Sequence, residues 1–166
     1  MEDDLRMRRL KNEEEEVNTQ KDYGELDPCI ISLGPKVDNY GVKDMTSWTL
    51  KFKGREGSDL YPGVYEVRMD IPKSYPGIYP DCKFLHDFTH FHIFPGGSIC
   101  LPLLKPAGWS SNKTMIELVL SIINMVHSDP KVGDEANHTM SKLYEKSKEE
   151  YKQYLRDQAK KMQNIK

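Results

Sequence analysis

The 166 residues suffice for one hydrophobic core and are too few for two comfortable ones, so the chain is read as a single domain over residues 1–166. With 24 Lys and Arg against 26 Asp and Glu, the net charge of −2 provides no basic field to draw the chain to nucleic acid. Apolar residues make up 37%, and no window comes near the run of about 18 that a membrane helix needs, which leaves no candidate span.

The opening stretch, MEDDLRMRRLKNEEEE, has neither the apolar run of a secretory leader nor the acid-poor character of an organelle transit segment. From residue 2 to about 18 it is rich in Glu, Lys, Arg and Leu, with Leu10 and Val17 seven positions apart. That spacing predicts a mostly solvated helix resting on a narrow apolar stripe. The run Glu13 to Glu16 is expected to be its solvated face, or a patch that selects or repels partners.

The period then shortens. CIISL (29–33), ended by Gly34-Pro35, reads as a short buried strand. In WTLKFKG, Trp48, Leu50 and Phe52 alternate with polar residues, and in VYEVRMDIP Tyr65, Val67, Met69 and Ile71 do the same. DCKF adds Cys82 and Phe84. Turn-rich stretches separate these runs, which predicts a four-stranded antiparallel meander with one face packed.

From Phe88 to Ser111 no period holds, because proline and glycine interrupt it repeatedly. The segment is nevertheless rich in Phe, Ile and Leu, so it is expected to be a packed loop, and irregular loops of this length are usually functional. Regularity returns in TMIELVLSIINMVH, a central helix with Thr114 and Glu117 as a capping box. Residues 134 to about 162 carry an apolar stripe through Met140, Tyr144, Tyr151, Leu155 and Met162, giving one or two C-terminal helices. The fold class is α+β.

Cys29, Cys82 and Cys100 are odd in number and widely spaced. A disulfide framework is not expected, and a cytosolic or nuclear compartment fits. In HFHIFPGGSICLPLL (90–104) Cys100 follows a glycine turn, with His90 and His92 close by. It can be a small buried apolar residue, a metal ligand or a nucleophile. Metal-ligand pairings of the C-x₂-C or H-x₃-H kind are absent, so no metal site is expected. A reactive thiol needs irregular backbone, partial exposure and nearby donors, and this setting provides them.

The stretch HFHIFPGGSICLPLL, then Trp109, then IELVLSIINMVHSDP resembles the ubiquitin-conjugating enzyme family. In that family a His-Pro-Asn triplet precedes the active cysteine and a tryptophan follows it. Here His90-Phe91-His92 stands at the triplet, Cys100 is ten positions after His90, and Trp109 is nine after Cys100. YPGVYEVRM (61–69) and the Tyr-Pro-x-x-x-Pro of 75–80 also match family segments, so the likeness runs from about Arg9 to Lys161. Within the family the SUMO-conjugating branch is most similar. The thirteen positions from Pro35 to Trp48, the DCKF and FPGGSIC segments and the tail EEYKQYLRDQAKKM carry that likeness. The acidic run Glu13–Glu16 departs from it, since that branch has a basic first helix.

The resemblance implies a ubiquitin-conjugating fold: N-terminal helix, meander sheet, active-site loop, central helix and C-terminal helices. It implies that Cys100 carries a ubiquitin-like modifier, SUMO or ubiquitin, as a thioester and passes it to a substrate lysine, with no cofactor. His92 stands where the family has its oxyanion-stabilising Asn; it either replaces that donor or only pins the loop. His90 is expected to brace the loop. Asp134 matches the family's acidic residue near the incoming amine, or is a plain helix cap, and Phe94 matches an aromatic beside the lysine channel. In the SUMO branch the surface around Asp134 favours an acidic-flanked lysine, and Glu135 and His138 depart from its usual residues. Arg6, Arg9, Ile78 and Tyr79 are implied to dock activating enzyme and ligase. A ubiquitin-conjugating enzyme of the same fold, or a non-catalytic binding module, remains the alternative.

Overall fold

The computed structural model describes residues 2–165. The first helix, α1 (Glu2–Asp22), is polar on most of its surface and buries Leu10 and Val17, the two residues that its narrow stripe predicts. It also buries Glu13, which corrects the reading of Glu13–Glu16 as a solvated face. The Glu13 carboxylate accepts hydrogen bonds from the Met115 N–H at 2.7 Å and from the Tyr75 hydroxyl. Arg9, one turn back, lies 3.6 Å from the same carboxylate. Glu14 instead faces outward far enough to pair with Lys43 at 2.8 Å, and Glu15 and Glu16 are exposed. A charge run only one turn long has to place one member on the buried side of a helix.

Glu13 therefore ties α1 to the 75–80 turn and to the start of the central helix. Replacing Glu13 by Ala leaves the Met115 N–H and the Tyr75 hydroxyl without their acceptor. The expected loss is about 1–3 kcal/mol of unfolding free energy in urea titration, and Glu13→Gln, which keeps an acceptor and a donor, should lose clearly less.

Alternation sets the sheet. β1 (Ile30–Val37), β2 (Lys43–Lys53), β3 (Val64–Asp70) and β4 (Asp81–Phe84) form one antiparallel meander in that order. Its inner face is Trp48, Leu50 and Phe52 from β2, Tyr65, Val67 and Met69 from β3, and Cys82 and Phe84 from β4, all buried. These residues share one buried cluster with Met115, Leu118, Val119, Ile122, Ile123 and Val126 of the central helix α2 (Met115–His127). The capping box at Thr114 and Glu117 starts α2 as its sequence predicts.

β1 differs from expectation. It is an edge strand, exposed or half-buried along its length, and it continues through Gly34-Pro35 to Val37 with register shifts after Ile30 and after Pro35. A proline cannot donate to a ladder, but on an edge strand no donor is needed on the solvent side. Cys29 lies in the turn before β1 rather than within a strand.

The C-terminal region is two helices, α3 (His138–Lys146) and α4 (Lys148–Lys161). Asn137 caps the first through the Met140 N–H, and Ser147 ends it while capping the second through the Glu150 N–H. Met140, Tyr151, Leu155 and Met162 are buried, with Tyr144 half-buried between the helices and the loop. The architecture is the α+β arrangement read from the sequence.

Candidate active site

The segment from Phe88 to Ser111 is irregular but packed, with Phe88, Phe91, Ile93, Ile99, Leu101 and Trp109 buried and a short 3-10 turn at Pro102–Leu104. A tight loop brings its two halves together. The Phe94 N–H donates to Ser98 O at 2.8 Å, the Gly97 N–H to Phe94 O at 2.9 Å, and the Cys100 N–H to His92 O at 2.8 Å. Gly97 has φ +103°, and a Cβ there would sit 2.2 Å from Phe84 O, so only glycine fits where the loop meets β4. Cys100 emerges from this loop half-buried, with its backbone N–H held by His92 O.

The other thiols sit in different surroundings. Cys82 is buried, and burial pushes its thiol up. Cys29 is pushed up to about 12 by burial and then by its hydrogen bond to Asp27. Both stay protonated near neutrality and are poor nucleophiles. Among the described residues no group of three His, Cys, Asp or Glu side chains is placed to hold a metal ion.

His90 and His92 are both buried, with ring centroids 5.8 Å apart. The His90 Nε2–H donates to Val126 O at 3.2 Å, and its Nδ1 accepts from the His92 N–H at 3.0 Å. That arrangement requires neutral imidazole. Burial, reinforced by His92, lowers its pKa from 6.5 to about 3. The unfolded chain then binds a proton near pH 6.5 that the folded chain refuses, so stability is fully present above that pH and is lost as pH falls toward 3. His127, lowered by burial as well, acts in the same sense. The expected loss is about 2 kcal/mol between pH 7 and 5, at about 1.4 kcal/mol per pH unit below the unfolded value. Urea midpoints across that range check it, and a flat profile would show that His90 accepts a proton in place.

His92 has both ring nitrogens engaged. Nδ1–H donates to Asp134 O at 2.9 Å, and Nε2 accepts from the Lys131 N–H at 3.1 Å. No N–H is left over to meet an oxyanion, so this geometry does not offer the donor that its place in the triplet implied. The ring instead ties the cysteine loop to the 131–134 turn. Phe91 O adds to the tie by accepting from the N–H groups of Ala136 and Asn137 at 3.0 and 3.2 Å, and the Phe91 N–H donates to the Tyr151 hydroxyl at 3.2 Å. These backbone partners were not foreseen, because nothing in a local pattern marks a carbonyl forty residues away.

Asp134 is not a helix cap; Asn137 has that place. Its backbone carbonyl is held by His92, while its carboxylate stays partly open, 3.6 Å from Lys131 Nζ. Phe94 is exposed on the rim of the loop and lines a cleft with His86, Asp87, Gly96 and Asn137. Two residues in that cleft, His86 and Asp87, have positive φ, 63° and 54°, a strained backbone of the sort found near functional sites.

The four residues implied as docking points divide. Arg9 is committed inward: its guanidinium donates to Ser111 O at 2.8 Å and to Lys113 O, and it lies over the Tyr75 ring. Arg6 donates to Ile71 O at 3.3 Å. Both tie α1 to the body, which leaves little of either cation for a partner. Ile78 is exposed, and Tyr79 is half-buried against the core. The 75–80 turn carrying them is fixed by the Trp109 Nε1–H, which donates to Pro76 O at 2.8 Å.

A family model for ubiquitin-conjugating enzymes matches residues 12–159. A Sumo-conjugating enzyme of Dictyostelium discoideum is 27% identical, aligned over 89% of this chain and 90% of its own length. A SUMO-conjugating enzyme of Arabidopsis thaliana is 27% identical over 76% and 79%, respectively. A ubiquitin-conjugating enzyme of Schizosaccharomyces pombe is 26% identical over 85% and 91%. The two kinds of relative are equally distant, so identity does not sort the modifier.

Proposed function

The chain belongs to the ubiquitin-conjugating enzyme family, and on that premise we propose that it carries SUMO as a thioester on Cys100 and transfers it to substrate lysines. The observation that carries the reading is Cys100 itself, a half-buried cysteine on a loop pinned by backbone hydrogen bonds. Family membership brings with it a ubiquitin-like modifier, an activating enzyme and a ligase as working partners.

In the first transfer the Cys100 thiolate attacks the modifier's C-terminal carbonyl while that carbonyl is bonded to the activating enzyme's sulfur. A new C–S bond forms, the old one breaks, and the activating enzyme's sulfur leaves as thiolate. In the second, a lysine amine attacks the same carbonyl, a C–N bond forms, the C–S bond breaks, and the Cys100 sulfur leaves as thiolate. The amine's proton passes to a base, and the partly open Asp134 carboxylate is our choice to orient the amine and receive it. Phe94 forms an apolar wall for the lysine stem. His90 and His92 act as positioning residues that hold the cysteine loop against the 131–134 turn.

SUMO is preferred because the extended β1–β2 hairpin, in which Pro35 pairs with Trp48, is among the features that liken the chain to that branch. Ubiquitin is the second reading, favoured by the acidic outer face of α1 at Glu14, Glu15 and Glu16, which lacks the branch's basic helix. Incubation with the matching activating enzyme, ATP and either modifier tests both. SUMO should give an adduct that reducing agent removes; an adduct with ubiquitin alone would reassign the modifier, and none with any modifier would make the chain a binding module.

A further inference from the structure

Beside the cysteine loop runs a groove of about 540 Å³ whose apolar walls are Ile71, Ile78, Tyr79, Ile99 and Leu104. Asp70 and Asp81 also line it, and no Lys or Arg does. The two carboxylates are directly opposite each other in the β3–β4 register, and two residues along, past Met69 and Cys82, Arg68 is opposite Lys83. Like charges facing across a ladder are destabilising. Exchanging the residues at 81 and 83 would turn both pairs into complementary ones. The sequence keeps the unfavourable order, which gathers negative charge at the groove and sets the cations one step back. Asp70 is answered in part by Arg68 at 3.2 Å and Ser47 at 3.4 Å, whereas Asp81 is exposed and makes no ion pair among the described residues. A local conflict that persists in a folded chain is a mark of function.

We infer that this groove binds a stretch of the acceptor substrate in which apolar side chains are followed by a lysine or arginine, the cation being received by Asp70 and Asp81. The inference rests on the reading of Cys100 as the carrier. Its continuity with that site is direct, since Ser98 and Ile99 line the groove and Cys100 follows them in the chain. A peptide laid along the groove therefore brings a neighbouring lysine to the thioester. This selects a basic-flanked acceptor, the opposite of the acidic-flanked motif that the SUMO branch would imply. Exposed Ile78 at the mouth offers the apolar anchor that such a site needs.

The test uses two fluorescent peptides with the same apolar residues and one central lysine, flanked in one by arginine and in the other by glutamate. Binding is read by polarisation on the unloaded protein. At low salt the basic peptide should bind about five- to tenfold more tightly, a margin that shrinks in high salt, and in Asp81→Lys the order of the two peptides should invert. Equal affinity, or a preference that Asp81→Lys leaves untouched, overturns the inference. On the thioester-loaded protein, the ratio of discharge onto the basic and acidic peptides should exceed one and invert in Asp81→Lys. Asp81-dependent binding without faster discharge would give the groove to a ligase segment and overturn the acceptor assignment. A chain that never loads would remove the proposed function and that assignment together, while the binding arm would still decide whether the groove selects positive charge.

Discussion

Cys100→Ala will abolish the reducing-agent-sensitive adduct entirely, a loss of more than about 10³-fold in loading, with a change in unfolding free energy of about 1 kcal/mol or less. No other sulfur can take over. Cys82 is enclosed by the sheet's inner face, and Cys29 is held protonated in a turn outside the cysteine loop. Neither has the pinned yet open backbone that presents Cys100. Cys100→Ser sharpens the result: a serine hydroxyl is a far weaker nucleophile, but any ester it forms resists thiols. Slow appearance of an adduct that survives reducing agent would place the acyl bond at residue 100. Persistence of the ordinary adduct in Cys100→Ala would move the carrier to another thiol and end the mechanism drawn above.

His92→Ala separates a brace from an oxyanion donor. A brace leaves two buried backbone groups, the Lys131 N–H and Asp134 O, without partners when it is removed. At about 1–3 kcal/mol for each buried group left unsatisfied, the expected cost is about 2–6 kcal/mol, or roughly 5–20 °C in Tm for a domain of this size. Discharge onto lysine, measured where both proteins are folded, should fall by about tenfold or less, because the chemistry loses alignment rather than a donor. The donor reading expects the reverse, a loss of about 10²–10³ in discharge with stability nearly intact. That outcome would mean that the ring leaves Lys131 or Asp134 to serve the transition state.

How far each of these residues could be read in advance depended on where its partners lie. Trp48, Leu50 and Phe52 declare an inner face because a strand alternates sides at every residue, and Thr114 with Glu117 declares a helix start because both capping bonds are local. Cys100 was legible as a candidate from its glycine turn and neighbouring histidines, and the spacing to Trp109 gave it a family. The same local logic failed for β1. An apolar run looks identical in a strand that is covered and in one that is not: of the two edge strands, β4 buries Cys82 and Phe84 while β1 leaves Ile31 and Val37 in solvent.

Glu13 and the two histidines mark the deeper limit. Within a run of four glutamates nothing distinguishes the one that meets Tyr75 and Met115, because those partners are 62 and 102 positions away. His92 looked like a chemical group because its place in the triplet is chemical in the family; its two ring bonds reach across 39 and 42 positions. Arg9, expected at a docking surface, is turned inward for the same reason, bonded to carbonyls more than a hundred positions along.

The chain's own pattern thus specified the α+β class, the antiparallel meander, the start of the central helix and the cysteine on an irregular loop, since periodicity, capping and turn chemistry act over a few residues. Which polar side chains are held inside, how little of β1 is covered, and where Asp70 meets Asp81 were decided by the folded chain alone. Hydrogen bonds and charge pairs act through space over a few ångströms, and the separation along the chain of the groups that meet carries no information about them.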